Sequence, residues 1–348
     1  MRGISHWSEC LAASHRHSVE RVHSLLVFTM SSSIVLAIIK KILIHGQYFC
    51  VYPSAFLDGP RCPYSPEDYR MPFETVELKT SDGIALRCYL LNADKAERVR
   101  ATIVMFLGNG MEIGGFEELR IAKKFFKMRC NVLMVSYRGY GLSEGSPTEK
   151  GLRRDAQAAL DYVLSNPRLM ASPVVVYGLS LGGAVAIDLT SRNPTKISAL
   201  IVENTFTSLP DVVHGWPVVG FISFLCHQRW NSAAKIVRIP PTLPILMLSG
   251  RKDEVVPPKH MSKLHQLALT RGRRPRKSKE EQSAVAEDTS EYTVFEAFPH
   301  GTHVFTSERS GYKTTIRRFL DRKDIQRYSK QRHSSESSAS VSSKAVDL

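Results

Sequence analysis

The six residues Gly178-Leu179-Ser180-Leu181-Gly182-Gly183 constrain this chain more than any other stretch. An apolar run, Pro173–Tyr177, precedes them, and a helical pattern over Ala184–Ser191 follows from a start near Gly183. A short apolar run in that setting reads as a buried strand. The hexapeptide must therefore turn a strand into a helix within a few residues. Only small residues fit beside the serine in so tight a turn, and the turn carries its hydroxyl out at the carboxyl edge of a sheet. The helix that follows offers unpaired N–H groups and the positive end of its dipole to any negative charge that develops there. A bare Gly-x-Ser-x-Gly is common. Between a strand and a helix it points to nucleophilic chemistry at Ser180, and an ordinary glycine-rich turn does not explain that setting.

The remaining sequence supplies the sheet that such a turn needs. Thr75–Leu78 and Ala85–Leu91 surround Ser81-Asp82-Gly83 and read as a hairpin. Apolar runs at Thr102–Leu107, Asn131–Ser136, Ile197–Val202, Pro244–Ser249 and Tyr292–Ala297 alternate with helical spacing at Ile113–Lys127, Lys150–Ser165 and Tyr312–Leu320. This alternation predicts an α/β fold: a mostly parallel sheet with helices on both faces, made mixed by the opening hairpin.

A serine hydroxyl is a weak nucleophile until a base takes its proton, and the base needs a carboxylate to orient it. Behind an elbow of this kind the acid comes next in the chain and the histidine last. Past Pro244–Ser249 comes Gly250-Arg251-Lys252-Asp253-Glu254-Val255-Val256-Pro257, which puts Asp253 just beyond the strand, with Glu254 as its neighbouring competitor. Past Tyr292–Ala297 comes Phe298-Pro299-His300-Gly301-Thr302-His303. Either histidine could be the base. His303 is favoured because it follows the glycine turn that would bring it back over Ser180. An oxyanion would need two donors: the N–H of Leu181, directly after the serine, and the N–H of Asn109 in the loop after Thr102–Leu107.

The 348 residues carry a formal net charge of +14, which invites a nucleic acid or an anionic membrane as partner. No zinc-finger, RRM or helix-turn-helix pattern accompanies the charge, which argues against nucleic acid. The excess sits in the tail after Val304 and in Arg271–Lys279, a run that reads as a solvated loop. The six cysteines (Cys10, Cys50, Cys62, Cys88, Cys130 and Cys226) are scattered, with no CxxC pair. Neither a zinc site nor a disulfide framework follows, and no metal or organic cofactor is implied.

Residues 1–21 are polar, whereas Val22–Ile39 is uncharged and is followed by Lys40-Lys41. Eighteen residues lie at the short end of a membrane span. The lysine pair stands where a cleavable leader would have small residues, so an anchor helix is expected, with a buried helix as the alternative. Thr205–Leu243 holds Trp216, Val218, Val219, Phe221, Ile222, Phe224, Leu225 and Trp230. It could form a small apolar cap; ordinary core packing is the competing reading. Thr270–Glu291 is charged and poor in large apolar residues, and reads as a disordered insertion. The stretch 323–348 reads as a disordered tail, Ser-rich from Ser329.

Several blocks together resemble one family. These are Tyr52-Pro53-Ser54, Ser136-Tyr-Arg-Gly-Tyr-Gly-Leu-Ser-Glu-Gly-Ser-Pro147, Glu203-Asn-Thr-Phe-Thr-Ser-Leu-Pro210, His227-Gln-Arg-Trp-Asn-Ser232 and Ser249-Gly-Arg-Lys-Asp-Glu-Val-Val-Pro-Pro258. They are similar to the bud-emergence (Bem) type α/β-hydrolases, the alpha/beta hydrolase domain-containing protein 13-like group, which are related to the serine aminopeptidases. The likeness implies an α/β-hydrolase domain over 47–322, a triad of Ser180, Asp253 and His303, and an N-terminal signal anchor over 22–39. It also implies a serine hydrolase cleaving an ester, a thioester (protein S-palmitoyl among them) or an amide, held as a single-pass protein in the endoplasmic reticulum or another cellular membrane. Two stretches depart from the family's pattern: Leu107-Gly108-Asn109-Gly110-Met111 replaces His-Gly-Asn-Ala-Gly, and His303-Val304-Phe305-Thr306 replaces His-Asn-Asp-Thr. A catalytically degenerate relative serving as a membrane-tethered binding or scaffold protein is the alternative expectation. Substrate identity, topology and oligomeric state are left open by the sequence.

Overall fold

In the computed structural model, which describes residues 51–52, 55, 63–93, 99–109, 112–215, 220–272 and 289–326, the expected hairpin is present as β1 (Glu74–Lys79) and β2 (Ala85–Leu91). Gly83 makes its turn possible with φ at 85°, a left-handed conformation that costs glycine nothing. β2 also pairs antiparallel with β4 (Cys130–Val135). Every later pairing is parallel and runs through β3 (Ala101–Phe106), β5 (Val174–Leu179), β6 (Ala199–Glu203), β7 (Ile245–Gly250) and β8 (Thr293–Phe298). The strand order is β1-β2-β4-β3-β5-β6-β7-β8. The chain folds as an α/β-hydrolase, with an eight-stranded, mostly parallel sheet.

Burial follows layer position. β3 through β7 bury every residue, as strands covered on both faces must. β1 buries only Val76 and Leu78 and alternates with exposed positions. Five longer helices cover the sheet: α1 (Phe116–Lys127), α2 (Glu149–Ser165), α3 (Leu181–Arg192), α4 (Lys259–Ala268) and α5 (Tyr312–Leu320). The apolar stripes of α1 and α5 join alternate residues of the central strands in one core, with Phe125, Tyr177 and Tyr312 among its fully buried members. Each large side chain buried there contributes about 1.5–3 kcal/mol. α2 and α3 pack together away from that cluster, so both faces carry helices. Thr148 starts α2 by accepting the Gly151 N–H.

Three expectations need correction. The helix expected from near Gly183 begins at Leu181, because Ser180 alone makes the reversal out of β5. The insertion expected over Thr270–Glu291 is too wide. Arg271 is 1% exposed, and its guanidinium donates to the carbonyls of Pro240, Pro241, Leu243 and Ala268 and to Thr293 Oγ1. Thr289, also buried, donates its hydroxyl to Leu269 O. Composition marked this stretch as unable to bury surface, but one arginine that satisfies five acceptors belongs inside. The tail expected over 323–348 begins too early: Ile325 is fully buried in the main core, and the Gln326 amide donates to Arg100 O. Of the apolar residues of 205–243, Trp230 is fully buried, its indole donating to Tyr52 Oη, while Phe224 is 71% exposed. Trp216, Val218 and Val219, the anchor expected over 22–39 and the tail beyond 326 lie outside the described residues. Among the described residues no helix is long and apolar enough to cross a membrane.

Candidate active site

Ser180 joins β5 to α3 with φ 55° and ψ −119°, a backbone state rare for any residue with a Cβ. Holding it costs on the order of 1–3 kcal/mol, which the surrounding packing must supply. That packing requires the glycines. A Cβ on Gly178 would lie 2.1 Å from the Gly182 oxygen, and one on Gly182 would lie 2.2 Å from the Phe106 oxygen. The first turn of α3 is thereby pressed against the end of β3. The Ser180 N–H donates to the carbonyl of Glu203 at the end of β6, which completes the fixing of the serine backbone.

His303 stands over this serine. Its Nε2 is 3.0 Å from Ser180 Oγ, and its Nδ1 is 2.8 Å from Asp253 Oδ2. A carboxylate only accepts, so Nδ1 carries the ring proton and Nε2 is left to accept the serine hydroxyl. The other oxygen of Asp253 accepts the N–H groups of Val255 at 3.0 Å and Val256 at 2.8 Å, which fixes the carboxylate in the loop after β7. All three side chains are buried. The two competitors, Glu254 and His300, are exposed.

Asn109 and Leu181, the residues expected to donate to an oxyanion, lie in the loop after β3 and at the start of α3. Leu181 is the first residue of α3, where N–H groups have no partner within the helix. Asn109 lies in the loop after β3, and that loop is tied down by its carbonyls. Tyr137 donates to Leu107 O at 3.1 Å and Tyr140 to Asn109 O at 3.0 Å, while the Asn109 amide donates to Val51 O. Both tyrosines come from the Ser136–Pro147 block. Between them Arg138 binds Asp155 of α2 and Asp82 of the hairpin turn. Arg138 holds the Asp82 carboxyl far below the usual range, whereas burial pushes Asp155 up to about 6. The block is thus a brace for the loop.

One residue with a clear role at the site had no part assigned from the sequence. Asn204 follows β6 with φ 45°. Its amide nitrogen donates to the carbonyls of Thr302 and His303 and to Thr306 Oγ1, and its oxygen accepts the Gly250 N–H. It clamps the histidine loop to the end of the acid's strand. Thr306 also donates to Thr302 O, so the loop keeps a side-chain brace although Val304 and Phe305 replace the polar residues of the resembling family. An asparagine directly after an apolar strand was the available signal, since asparagine tolerates left-handed backbone well. No group of three or more His, Cys, Asp or Glu among the described residues is placed to hold a metal.

A family model described as serine aminopeptidase, S33, matches residues 97–235. Protein bem46 of Schizosaccharomyces pombe is 40% identical over 301 residues, covering 85% of this chain and 93% of its own length. A Saccharomyces cerevisiae protein described as the uncharacterized membrane protein YNL320W is 34% identical, covering 81% of this chain and 91% of its own. Among solved structures, the Pyrococcus furiosus esterase Pf2001 superposes with a TM-score of 0.57 at 18% identity, over 74% of this chain and 93% of that one. This last likeness concerns the fold.

Proposed function

Because the chain belongs to the Bem46-type family of α/β-hydrolases, we propose that it is a serine hydrolase that opens an ester, thioester or amide bond through an acyl-enzyme on Ser180. The observation that carries this reading is the unbroken chain of hydrogen bonds from Asp253 through His303 to Ser180 Oγ, on a serine held in a strained turn. His303 takes the hydroxyl proton as Ser180 attacks the carbonyl carbon. Asp253 stabilises the imidazolium, and the N–H groups of Leu181 and Asn109 receive the oxyanion. The imidazolium then protonates the leaving group. A water, deprotonated by the same ring, releases the acid.

Acyl substrates fit better than charged ones. Val255, two residues past the acid, is 50% exposed, and Phe305, two residues past the base, is 47% exposed. Apolar side chains on both loops favour a hydrocarbon chain, including the S-palmitoyl group of a protein thioester. Turnover of p-nitrophenyl esters is the test. kcat/KM is expected to rise at least about tenfold from acetate to medium-length acyl chains, given about 0.8 kcal/mol for each buried methylene. A flat or falling series would exclude an acyl pocket.

The same reading keeps residues 22–39 as a membrane anchor. It is supported by the uncharged run with its lysine flank and by a relative described as a membrane protein. An inserted helix resists both high salt and alkaline carbonate, whereas a charge-held protein is stripped by salt. The full-length protein is expected to stay in the carbonate pellet; its appearance in the supernatant would overturn the anchor.

A further inference from the structure

Exposed large apolar side chains gather at one edge of this domain. Phe116, Leu142, Phe224, Val255 and Phe305, each close to half exposed or more, follow the carboxyl ends of β3, β4, β6, β7 and β8. Tyr64 is exposed to a similar degree and donates its N–H to Gly114 O in the connection after β3. Among the described residues Val237 alone stands apart, in the segment that leads into the start of β7. The edge that carries Ser180, Asp253 and His303 is therefore the apolar one, and such a grouping calls for a partner. Contacts join its parts. Tyr69 packs edge to face between Tyr64 and Phe116, with ring centroids 6.4 and 6.1 Å away. The Arg120 guanidinium lies 5.1 Å from the Phe116 ring centroid and pairs with Glu308, the last residue of the short helix that Phe305 begins. The Lys252 N–H donates to Gly301 O, which ties the loop of Val255 to the loop of His303 and Phe305. Cations stand among these residues. Arg251, Lys252 and Lys259 are exposed and make no ion pair with any described residue, against one exposed acid, Glu254, in the same stretch.

We propose that this edge rests on a lipid bilayer with anionic headgroups, so that the entrance to Ser180 faces lipid. Rings and aliphatic side chains interspersed with unpaired cations suit that surface. The apolar groups enter the boundary between headgroups and acyl chains, and the cations meet phosphate and carboxylate. The core of a protein interface is instead depleted of charge. The net charge of the chain, +14, has the same sign as this edge. The chain also enters the domain here, where the Asn109 amide holds the Val51 carbonyl beside the loop after β3. The inference deepens the acyl-hydrolase reading and rests on it for one consequence, that a hydrocarbon substrate reaches Ser180 from the bilayer without crossing water.

The test reads contact with lipid directly. The full chain is prepared with a genetically encoded fluorescent amino acid in place of Phe305, Phe116 or Val237, and is placed in vesicles of phosphatidylcholine and phosphatidylserine. Lipids brominated on the acyl chain are expected to quench the fluorophore at the Phe305 and Phe116 positions at least about threefold more than at the Val237 position. Lys252→Glu combined with Lys259→Glu, or vesicles of phosphatidylcholine alone, are expected to reduce quenching at the Phe305 position by about half. Circular dichroism checks that each variant is folded. Equal quenching at the three positions, or quenching that ignores both the charge reversal and the lipid charge, overturns the proposal. So does a spectral shift at the Phe305 position that follows protein concentration and ignores brominated lipid, which would give this face to a second copy of the chain. The readout needs no turnover. A Ser180 inert towards an activated-serine probe removes the hydrolase reading, while the quenching still decides the docking.

Discussion

A fluorophosphonate probe is expected to label the wild-type protein at Ser180 and to leave Ser180→Ala unlabelled, with ester turnover in the variant reduced about 10⁴–10⁶-fold. The size of the effect follows from the hydrogen bonds. His303 Nε2 lies 3.0 Å from the serine hydroxyl and Nδ1 2.8 Å from Asp253 Oδ2, so the three side chains form one relay. His303→Ala should therefore cost about as much as Ser180→Ala, and the double variant little more than either, since members of one relay fail together. His300 is exposed at the tip of the preceding turn, so His300→Ala should retain most activity. The backbone donors survive in all these variants, which leaves a residual rate above that of water. Equal labelling of wild type and Ser180→Ala would remove the nucleophile from this site.

The largest expected loss of stability lies away from the reacting atoms. Arg271→Ala takes out a guanidinium that is 1% exposed and removes its donors from the carbonyls of Pro240, Pro241, Leu243 and Ala268, of which Pro240 and Ala268 keep a backbone N–H. Burial lowers the Arg271 guanidinium to about 10, still charged at neutral pH, so those carbonyls lose a charged donor. Truncation should cost about 3–5 kcal/mol, the range for breaking a buried charged group out of its hydrogen bonds. In a domain of this size that lowers Tm by on the order of 5–10 °C. Thermal unfolding followed by circular dichroism reads it. A shift of a degree or less would mean that the carbonyls find water instead.

What could be read from the sequence divides by range. The elbow and the acid each follow a fully buried strand, and the base follows a half-buried one that carries Glu296 among apolar residues, so local pattern sufficed to point to Ser180, Asp253 and His303. The onset of α3 was misplaced by local reasoning, because two glycines look like a turn until Phe106 is known to press on Gly182 and Thr205 on Gly183. Arg271 was hidden because composition averages over a window, and one buried arginine among exposed ones leaves no trace in it. Glu203 sits in an apolar strand pattern as its last residue, and nothing local marks it as buried. Its partners, the hydroxyls of Tyr177 and Tyr312, stand 26 and 109 residues away. Asn204 is similar: its meaning comes from loops roughly a hundred residues later.

The stem at Leu269 and Thr289 brings together two points of the chain separated by 20 residues. It lies before β8, at the end of the parallel strands opposite to the one that carries Ser180, Asp253 and His303. Entropy of closure grows only slowly with the length between two such points, about 0.6 kcal/mol for each doubling. A fluorescent protein or an epitope grafted between Gly272 and Thr289, with Arg271 left in place, would thus report where the enzyme resides while its reactive end stays untouched. The same span could be lengthened or recharged, changing the protein's outward identity without altering the chemistry.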